Sequence, residues 1–330
     1  MSRLAERWLE AAYTGQAWLK ALRPLEWLYR RVVQHRARAY GAGRRDTWRA
    51  PVPVIVVGNI TLGGTGKSPL VAWLARYLSE SGWSPGILSR GYGGRAAGYP
   101  LRLTPRTPVA ESGDEPRMLA DQTGCPVVVD PRRPRGGQCL LEAGCDILIS
   151  DDGLQHLALE RDLELLVVDG QRGLGNGRCL PAGPLRESVE RLHQVDAVLV
   201  TGELQQGLPV ASHGMQLTPI AWRSLTEGMP QPLLPLPFSG TVNALAGIGR
   251  PARFFATLDE LGVDYVPHAF ADHHRFTPAD LAFGDQRSLV MTAKDAVKCR
   301  ELTRDAWSLD VEAHPDPAFV DWLAARLARL

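Results

Sequence analysis

Lys67 and Ser68 close a glycine-rich run, "TLGGTGKS" at residues 61–68. A lysine there can reach the β/γ-phosphates of a nucleotide, and a hydroxyl can ligate Mg²⁺. Gly63, Gly64 and Gly66 let the backbone take positive φ and turn its N–H groups onto phosphate oxygens. The run nearly spells G-x-x-x-x-G-K-[ST], with Thr61 where the first glycine belongs. Thr61, Leu62, Gly63, Gly64, Thr65, Gly66, Lys67 and Ser68 are therefore the expected nucleotide loop. Carboxylates follow. "ILISDDGLQHL" puts Asp151 and Asp152 just past an apolar run, where a P-loop enzyme needs an acid for Mg²⁺; a turn or a helix cap reads equally from the pair alone. Asp114 and Glu115 in "SGDEPRML" open a helix and can cap it or act as acids. Arg186 and Glu187 in "LPAGPLRE" are, by themselves, a surface pair. "AFADHHRF" supplies Asp272, His273 and His274. Adjacent histidines cannot easily face one ligand, so a metal site is disfavoured; one of them can serve as acid/base or orienter, or be structural.

The loop passes the test of context. An apolar strand, Val54–Val57, precedes it, and a helix from about Pro69 to Leu78 follows, with Leu70, Leu74, Tyr77 and Leu78 on its apolar face. A related loop of membrane-associated partitioning and carrier ATPases carries an extra lysine where Leu62 stands, so a switch ATPase working by that lysine is disfavoured. Further short apolar runs follow, several ending in Asp or Gly: "PGILS" before "RGYGG", "CPVVVD", "CDILIS", "LELLVVD", "DAVLVTG" and "RSLVMTA". Such runs, separated by helical stretches, predict an α/β protein with a P-loop NTPase-type parallel sheet flanked by helices. Ligands then bind at the carboxyl ends of the strands. Residues 203–240 are rich in Pro, Gly and Gln and are read as the crossing to a smaller C-terminal α/β unit. The expected domains are a basic arm (1–46), a P-loop core (47–212) and a smaller domain closing the cleft (213–330).

The net charge of +1 hides an asymmetry. Residues 1–46 carry ten Lys/Arg against four acids, and the other 284 residues carry 27 bases against 32 acids. Nucleic-acid binders spread positive charge over the folded body, so none is expected as a partner. In the arm Trp18, Leu22, Leu25, Tyr29 and Val32 recur at helical steps, Pro24 should kink or split the helix, and the longest uncharged run, Ala11 to Leu19, falls far short of the ~20 residues that span a bilayer. Arg and Glu interrupt the apolar block from the start, so no cleavable leader is expected. A basic, Trp-bearing amphipathic helix suits a membrane surface; packing on the body is the plain alternative. The five cysteines are scattered, with no C-x-x-C pair, which suits a reducing compartment.

The ordered set "GNITLGGTGKSP", "LSRGYGG", "GDEP", "DDGLQH", "RDLELLVVDGQRGLGNGRCLPAGPLRE", "ADHHRF" and "TAKDAVKC" closely resembles the tetraacyldisaccharide 4'-kinases, the lipid A 4'-kinases of Gram-negative bacteria. The likeness runs from about residue 10 to residue 300. It implies a kinase that moves the γ-phosphate of ATP to the 4'-hydroxyl of tetraacyldisaccharide 1-phosphate on the cytoplasmic face of the inner membrane, with Mg²⁺ and no obligate protein partner. It also implies that Asp114 takes the hydroxyl proton with His273 as its partner, that Asp151, Asp152, Ser68 and Glu187 serve Mg²⁺, and that Arg90 and Arg186 meet substrate. One departure is visible: the family's "TEKD" reads "TAKD" here, with Ala293 in place of Glu. The alternative reading is a membrane-recruited P-loop ATPase switch that binds a partner protein.

Overall fold

The computed structural model describes residues 3–303 and 305–330. One 13-stranded sheet runs through the protein. Its strands are β1 (Val54–Gly58), β2 (Pro85–Ser89), β3 (Leu101–Arg102), β4 (Val127–Val129), β5 (Ile147–Asp151), β6 (Leu163–Asp169), β7 (Ala197–Thr201), β8 (His213–Ser224), β9 (Pro230–Gln231), β10 (Val242–Ala246), β11 (Tyr265–Ala269), β12 (Leu289–Thr292) and β13 (Ala306–Pro315). The order is β11-β10-β12-β13-β8-β7-β6-β1-β5-β2-β4-β3, with β9 beside β8. From β8 to β4 neighbours are parallel, and so are those from β11 to β13. The two parallel halves join along the antiparallel β8–β13 pair.

That joint was hidden in the sequence. β8 alternates half-buried and exposed residues instead of forming an apolar run, and Pro219 sits inside it. The register slips beside Pro219, where Val311 pairs with it and Asp310 with Ala221. A bulge is one of the few places a sheet accepts a proline, because no ladder donor is missed there.

The helices are α1 (Arg3–Thr14), α2 (Arg23–Gly41), α3 (Lys67–Glu80), α4 (Val109–Ser112), α5 (Asp114–Thr123), α6 (Arg133–Glu142), α7 (Pro251–Glu260), α8 (Ala293–Cys299) and α9 (Pro317–Leu327). Along β1, Ile55 and Val57 face one core with Leu70, Leu74 and Leu78 of α3, while Val54 and Val56 face the other with Leu88 and Leu148. Burial on both faces is why the strands read as continuous apolar runs. The last helix, α9, returns across the joint and packs Phe319 and Leu323 against the α3 core.

The arm is broken where Pro24 requires. A 3-10 turn (Ala17–Leu22) separates α1 from α2, and Pro24 occupies the first turn of α2, where it removes no helical hydrogen bond. The break resets the helical phase, so the expected apolar stripe divides. Tyr29 is half-buried against the body and Leu22 against Ala11, Ala12 and Leu19 of the arm itself, whereas Trp18, Leu25 and Val32 are exposed together with Leu4, Trp27 and Leu28. Glu26 is buried instead of solvated, taking the backbone N–H of Cys179 at 3.1 Å with Arg178 at 3.4 Å. Among the described residues, no helix is long and apolar enough to cross a membrane.

Candidate active site

The P-loop leaves the carboxyl end of β1 and runs into α3, which begins at Lys67, two residues earlier than expected. Gly63 and Gly66 take positive φ (104° and 90°) and Gly64 does not. Thr61 needs no such freedom. It is buried, bridged to Leu185, and flanked by two backbone hydrogen bonds, Arg186 N–H to Ile60 O and Leu62 N–H to Pro184 O. The "LPAGPLRE" segment thus splints the entrance of the loop. Thr201, at the end of β7, donates to Thr65 O at 2.8 Å and holds its far side.

The acid pair stands on the neighbouring strand, where Val57 registers with Asp151. Asp152 follows in a left-handed conformation (φ 47°), unusual for a residue with a side chain. This turns its carboxylate toward Lys67 Nζ at 3.7 Å and Arg186 Nη1 at 2.9 Å. Burial pushes the Asp152 carboxyl up, but Lys67 and Arg186 prevail and bring it down to about 2. Asp151 goes the other way: burial raises it, and the charges of Glu115 and Asp152 add to the rise. Beneath it the fully buried Arg133 donates to Asp151 O at 2.9 Å. Asp151 Oδ1 and Asp152 Oδ1 are both buried without a hydrogen-bond partner. Two hard, unsatisfied oxygens close to the P-loop lysine fit Mg²⁺, which takes one or two carboxylates and completes its shell with water and phosphate. Glu187 is differently placed. One of its oxygens accepts from Gln155 at 2.6 Å and the other lies 3.4 Å from Arg191. Arg90 is exposed at the end of β2.

Asp114 opens α5 immediately after Gly113 (φ 85°). A Cβ on Gly94 would stand 2.6 Å from Gly113 N, so the "RGYGG" loop can lie against this turn only as glycine. Across the cleft, His273 Nδ1 sits 3.0 and 2.9 Å from the two Asp114 oxygens. The His273 backbone is also left-handed (φ 58°), and the Tyr92 ring packs 4.8 Å from the imidazole. Burial raises the Asp114 carboxyl, yet the hydrogen bond from His273 and the charges of Lys294 and Lys298 leave it below its ordinary value. Burial depresses His273, and Asp114 more than restores it, so the imidazole ends above its ordinary value. His274 turns away to Asp280 at 3.3 Å. Of the two histidines, it is His273 that meets Asp114.

Several neighbours of the site do not stand out in the sequence. Lys294 Nζ reaches Glu115 at 2.9 Å and Asp272 at 3.2 Å, and Lys298 Nζ lies 3.9 Å from Asp114. Burial lowers Lys294, but these three acids outweigh it and raise its pKa. The signal available was the i, i+4 spacing of two lysines on one short helix, which puts both on one face. Ala293 occupies the first position of that helix, capped by Thr292. Arg250 pairs with Asp169 at the end of β6. A Cβ on Gly249 would stand 2.9 Å from Gly64 N, so the second half of the molecule can lie this close to the P-loop backbone only as glycine. Among the described residues no cluster of three His, Cys, Asp or Glu could hold a metal by itself; a site here needs the Ser68 hydroxyl and the ligand's own oxygens.

A glycine-rich loop on a parallel sheet, with carboxylates on the adjacent strand and an acid–histidine pair across a cleft, defines a P-loop phosphotransferase. Residues 18–328 match the family described as tetraacyldisaccharide-1-P 4'-kinase, LpxK. A tetraacyldisaccharide 4'-kinase of Pseudomonas aeruginosa is 50% identical over 328 residues, 99% of this chain and 98% of that protein. One of Alkalilimnicola ehrlichii is 51% identical over 333 residues, 100% and 98% of the two chains. The crystal structure of LpxK from Aquifex aeolicus in complex with ATP superposes with a TM-score of 0.80 at 28% identity, covering 94% of this chain and 98% of that one. The chain belongs to the tetraacyldisaccharide-1-P 4'-kinase family and is a kinase with an alcohol acceptor.

Proposed function

We propose that the protein transfers the γ-phosphoryl group of ATP to the 4'-hydroxyl of tetraacyldisaccharide 1-phosphate, with Asp114 as the base that orients and accepts the hydroxyl proton. The observation that carries this reading is the Asp114–His273 pair, which joins the two sides of the cleft on a molecule that also offers Lys67 and the unsatisfied oxygens of Asp151 and Asp152. Phosphoryl transfer has a loose, charge-rich transition state, so positioning and electrostatics do most of the work. Backbone N–H groups of residues 63–66 and Lys67 hold the triphosphate. Ser68, Asp151 and Asp152 would hold Mg²⁺, which neutralises charge on the phosphates when bound. Glu187 acts from behind, fixing Gln155. Arg186 and Arg90 face the substrates. Asp114 stays ionised well below neutral pH because His273 and the two lysines favour its charged form, so it is ready to take a proton. His273 and Lys294 belong to the opposite side of the cleft, so the complete dyad exists only when the two sides meet. This restrains ATP hydrolysis before the acceptor is bound.

The arm places the enzyme on the lipid. Leu4, Trp18, Leu25, Trp27, Leu28 and Val32 are exposed on one short segment that also carries ten basic residues. That composition suits peripheral binding to an anionic leaflet, here the cytoplasmic face of the inner membrane. The decisive experiment supplies Mg-ATP and the disaccharide 1-phosphate in detergent micelles and follows the lipid by mass. One added phosphate is expected. Lipid left unmodified while ATP is freely hydrolysed would refute the assignment.

A further inference from the structure

Arg172 lies outside every role given so far. It follows β6 in the turn "DGQRG", where its backbone N–H donates to Asp169 Oδ1 at 3.0 Å. Its guanidinium points back over the P-loop: a Cβ on Gly63 would stand 3.2 Å from Arg172 Nη1. That Nη1 is buried and has no hydrogen-bond partner among the described residues. The nearest acid cannot serve it. Asp169 Oδ1 is taken by the N–H groups of Gln171 and Arg172, and Oδ2 by Arg250. A guanidinium has five donors in a rigid fork and cannot shed its charge. A buried donor of that kind, facing a loop built to collect phosphate, lacks only an anionic oxygen.

The face of the guanidinium is also held. It stacks on the Tyr13 ring of α1, with Cζ 4.8 Å from the ring centroid. The same phenol donates its hydroxyl hydrogen to Leu62 O in the P-loop. On its other side α1 is locked to the Arg172 turn, since Asn176 N–H donates to Ala12 O at 3.2 Å and a Cβ on Gly175 would stand 3.1 Å from Tyr13 Cδ1. Three segments distant in sequence, the arm, the P-loop and the turn after β6, therefore meet at one aromatic ring.

We propose that Arg172 is a phosphate-binding residue for the β/γ end of the nucleotide, and that Tyr13 of the N-terminal arm is the positioning residue that aims it. The arm that faces the lipid thereby sets the affinity for the phosphate donor. The inference rests on the reading that residues 61–68 hold the triphosphate, so the test must separate the two.

Equilibrium titrations of the full-length chain with Mg-ATP and with AMP, by calorimetry, do so. A charge-assisted hydrogen bond to phosphate is worth enough that Arg172→Ala should weaken Mg-ATP binding by ~10–100-fold, with Arg172→Lys between. AMP, which lacks the distal phosphates, should bind Arg172→Ala and wild type alike. Tyr13→Leu should weaken Mg-ATP by ~3–10-fold, the scale of a lost cation–π contact, and Tyr13→Phe, which keeps the ring, should recover most of that. In the Arg172→Ala background Tyr13→Leu should cost nothing further. Melting curves without nucleotide report whether each variant is folded; if Tyr13→Leu is not, Tyr13→Phe against Tyr13→His carries the comparison. Lys67→Ala is the control. If it loses affinity while Arg172→Ala binds Mg-ATP as tightly as wild type, the inference is overturned and the P-loop reading stands. If Lys67→Ala itself binds normally, the P-loop reading falls. Additive losses in the double variant would remove Tyr13 from the proposal.

Discussion

On the P-loop side of the cleft the functional groups hang from buried parallel strands; on the other side they hang from loops and one short helix. Asp151, Asp152 and Thr201 sit at the carboxyl ends of β5 and β7, and Lys67 opens the helix that follows the loop from β1, all three strands being buried without exception. His273, Lys294, Lys298 and Arg250 belong to segments that reach across and pair with acids of the first side: Asp114, Glu115 and Asp169. One side is fixed by packing and the other is held to it by charge. The permanent joint is the β8–β13 ladder. The polar contacts of the cleft are therefore contacts that charged substrates can compete for. On the proposed function, that difference gives nucleotide capture to the rigid side and commitment to catalysis to the charged one.

The comparison breaks most sharply at Asp114. Asp114→Ala should lower kcat by ~10²–10⁴-fold, the range for losing a general base, with nucleotide affinity retained because the phosphate site is on the rigid side. Equal loss of Mg-ATP affinity would show that Asp114 serves binding. The outer face of the arm comes next. Leu25, Leu28 and Val32, 54%, 55% and 60% exposed, have no role in the fold, so changing all three to Ser should leave the melting temperature and nucleotide binding alone. Co-sedimentation with anionic vesicles should fall ~10–10²-fold, roughly 1 kcal/mol for each apolar side chain partly withdrawn from lipid. Unchanged sedimentation would place the membrane contact elsewhere.

Lys294→Met should act on closure. It removes the cation shared by the half-buried Glu115 and Asp272, leaving two acids near each other uncompensated, a situation that destabilises. Faster amide exchange in 114–118 and 270–276 is expected, with kcat down ~3–10-fold and Mg-ATP affinity within about twofold. Exchange that accelerates equally in β1 and β5 would mean that Lys294 supports the whole fold and not the closed cleft.

What the sequence revealed follows the same division. The rigid side was legible because its signals are local: apolar runs, glycines at fixed offsets and acids one residue past a strand. The charged side was legible only as isolated motifs. Nothing local ties "KDAVK" to "GDEP" or Arg250 to Asp169, since those pairings exist only after β8 and β13 have joined the two halves, and that joint was masked by Pro219 and by a half-exposed strand pattern. In the arm the break expected at Pro24 is present, and what the periodicity did not show was its effect on the apolar stripe. Its periodicity was real, but Pro24 reset the phase, sent Tyr29 inward to donate to Arg186 O at 2.8 Å and buried Glu26. Arg172 stood inside the most specific block of the family resemblance and drew no notice, because a single arginine carries no spacing.

The smallest effect tests whether the dyad is a charged latch at all. His273 ends above its ordinary value of 6.5 and Asp114 below its ordinary 3.8. For the histidine the folded value exceeds the unfolded one, so its contribution to stability is full below pH 6.5 and is lost as pH rises through the folded value. For the aspartate the folded value is the lower, so its contribution is present above pH 3.8 and is lost as pH falls through the folded value. The pair therefore stabilises the closed cleft between these limits and fades on the alkaline side first. Both groups are part-shielded by the cleft, and the His273 side chain is 24% exposed, so the pair should contribute about 1 kcal/mol at most. Melting temperatures of wild type and His273→Gln, compared at fixed ionic strength, should differ by a few degrees near pH 5.5 and converge above the histidine's folded value. A difference that stays constant across that range would mean that His273 holds Asp114 as a neutral hydrogen-bond donor, and that charge is not what draws the two sides together.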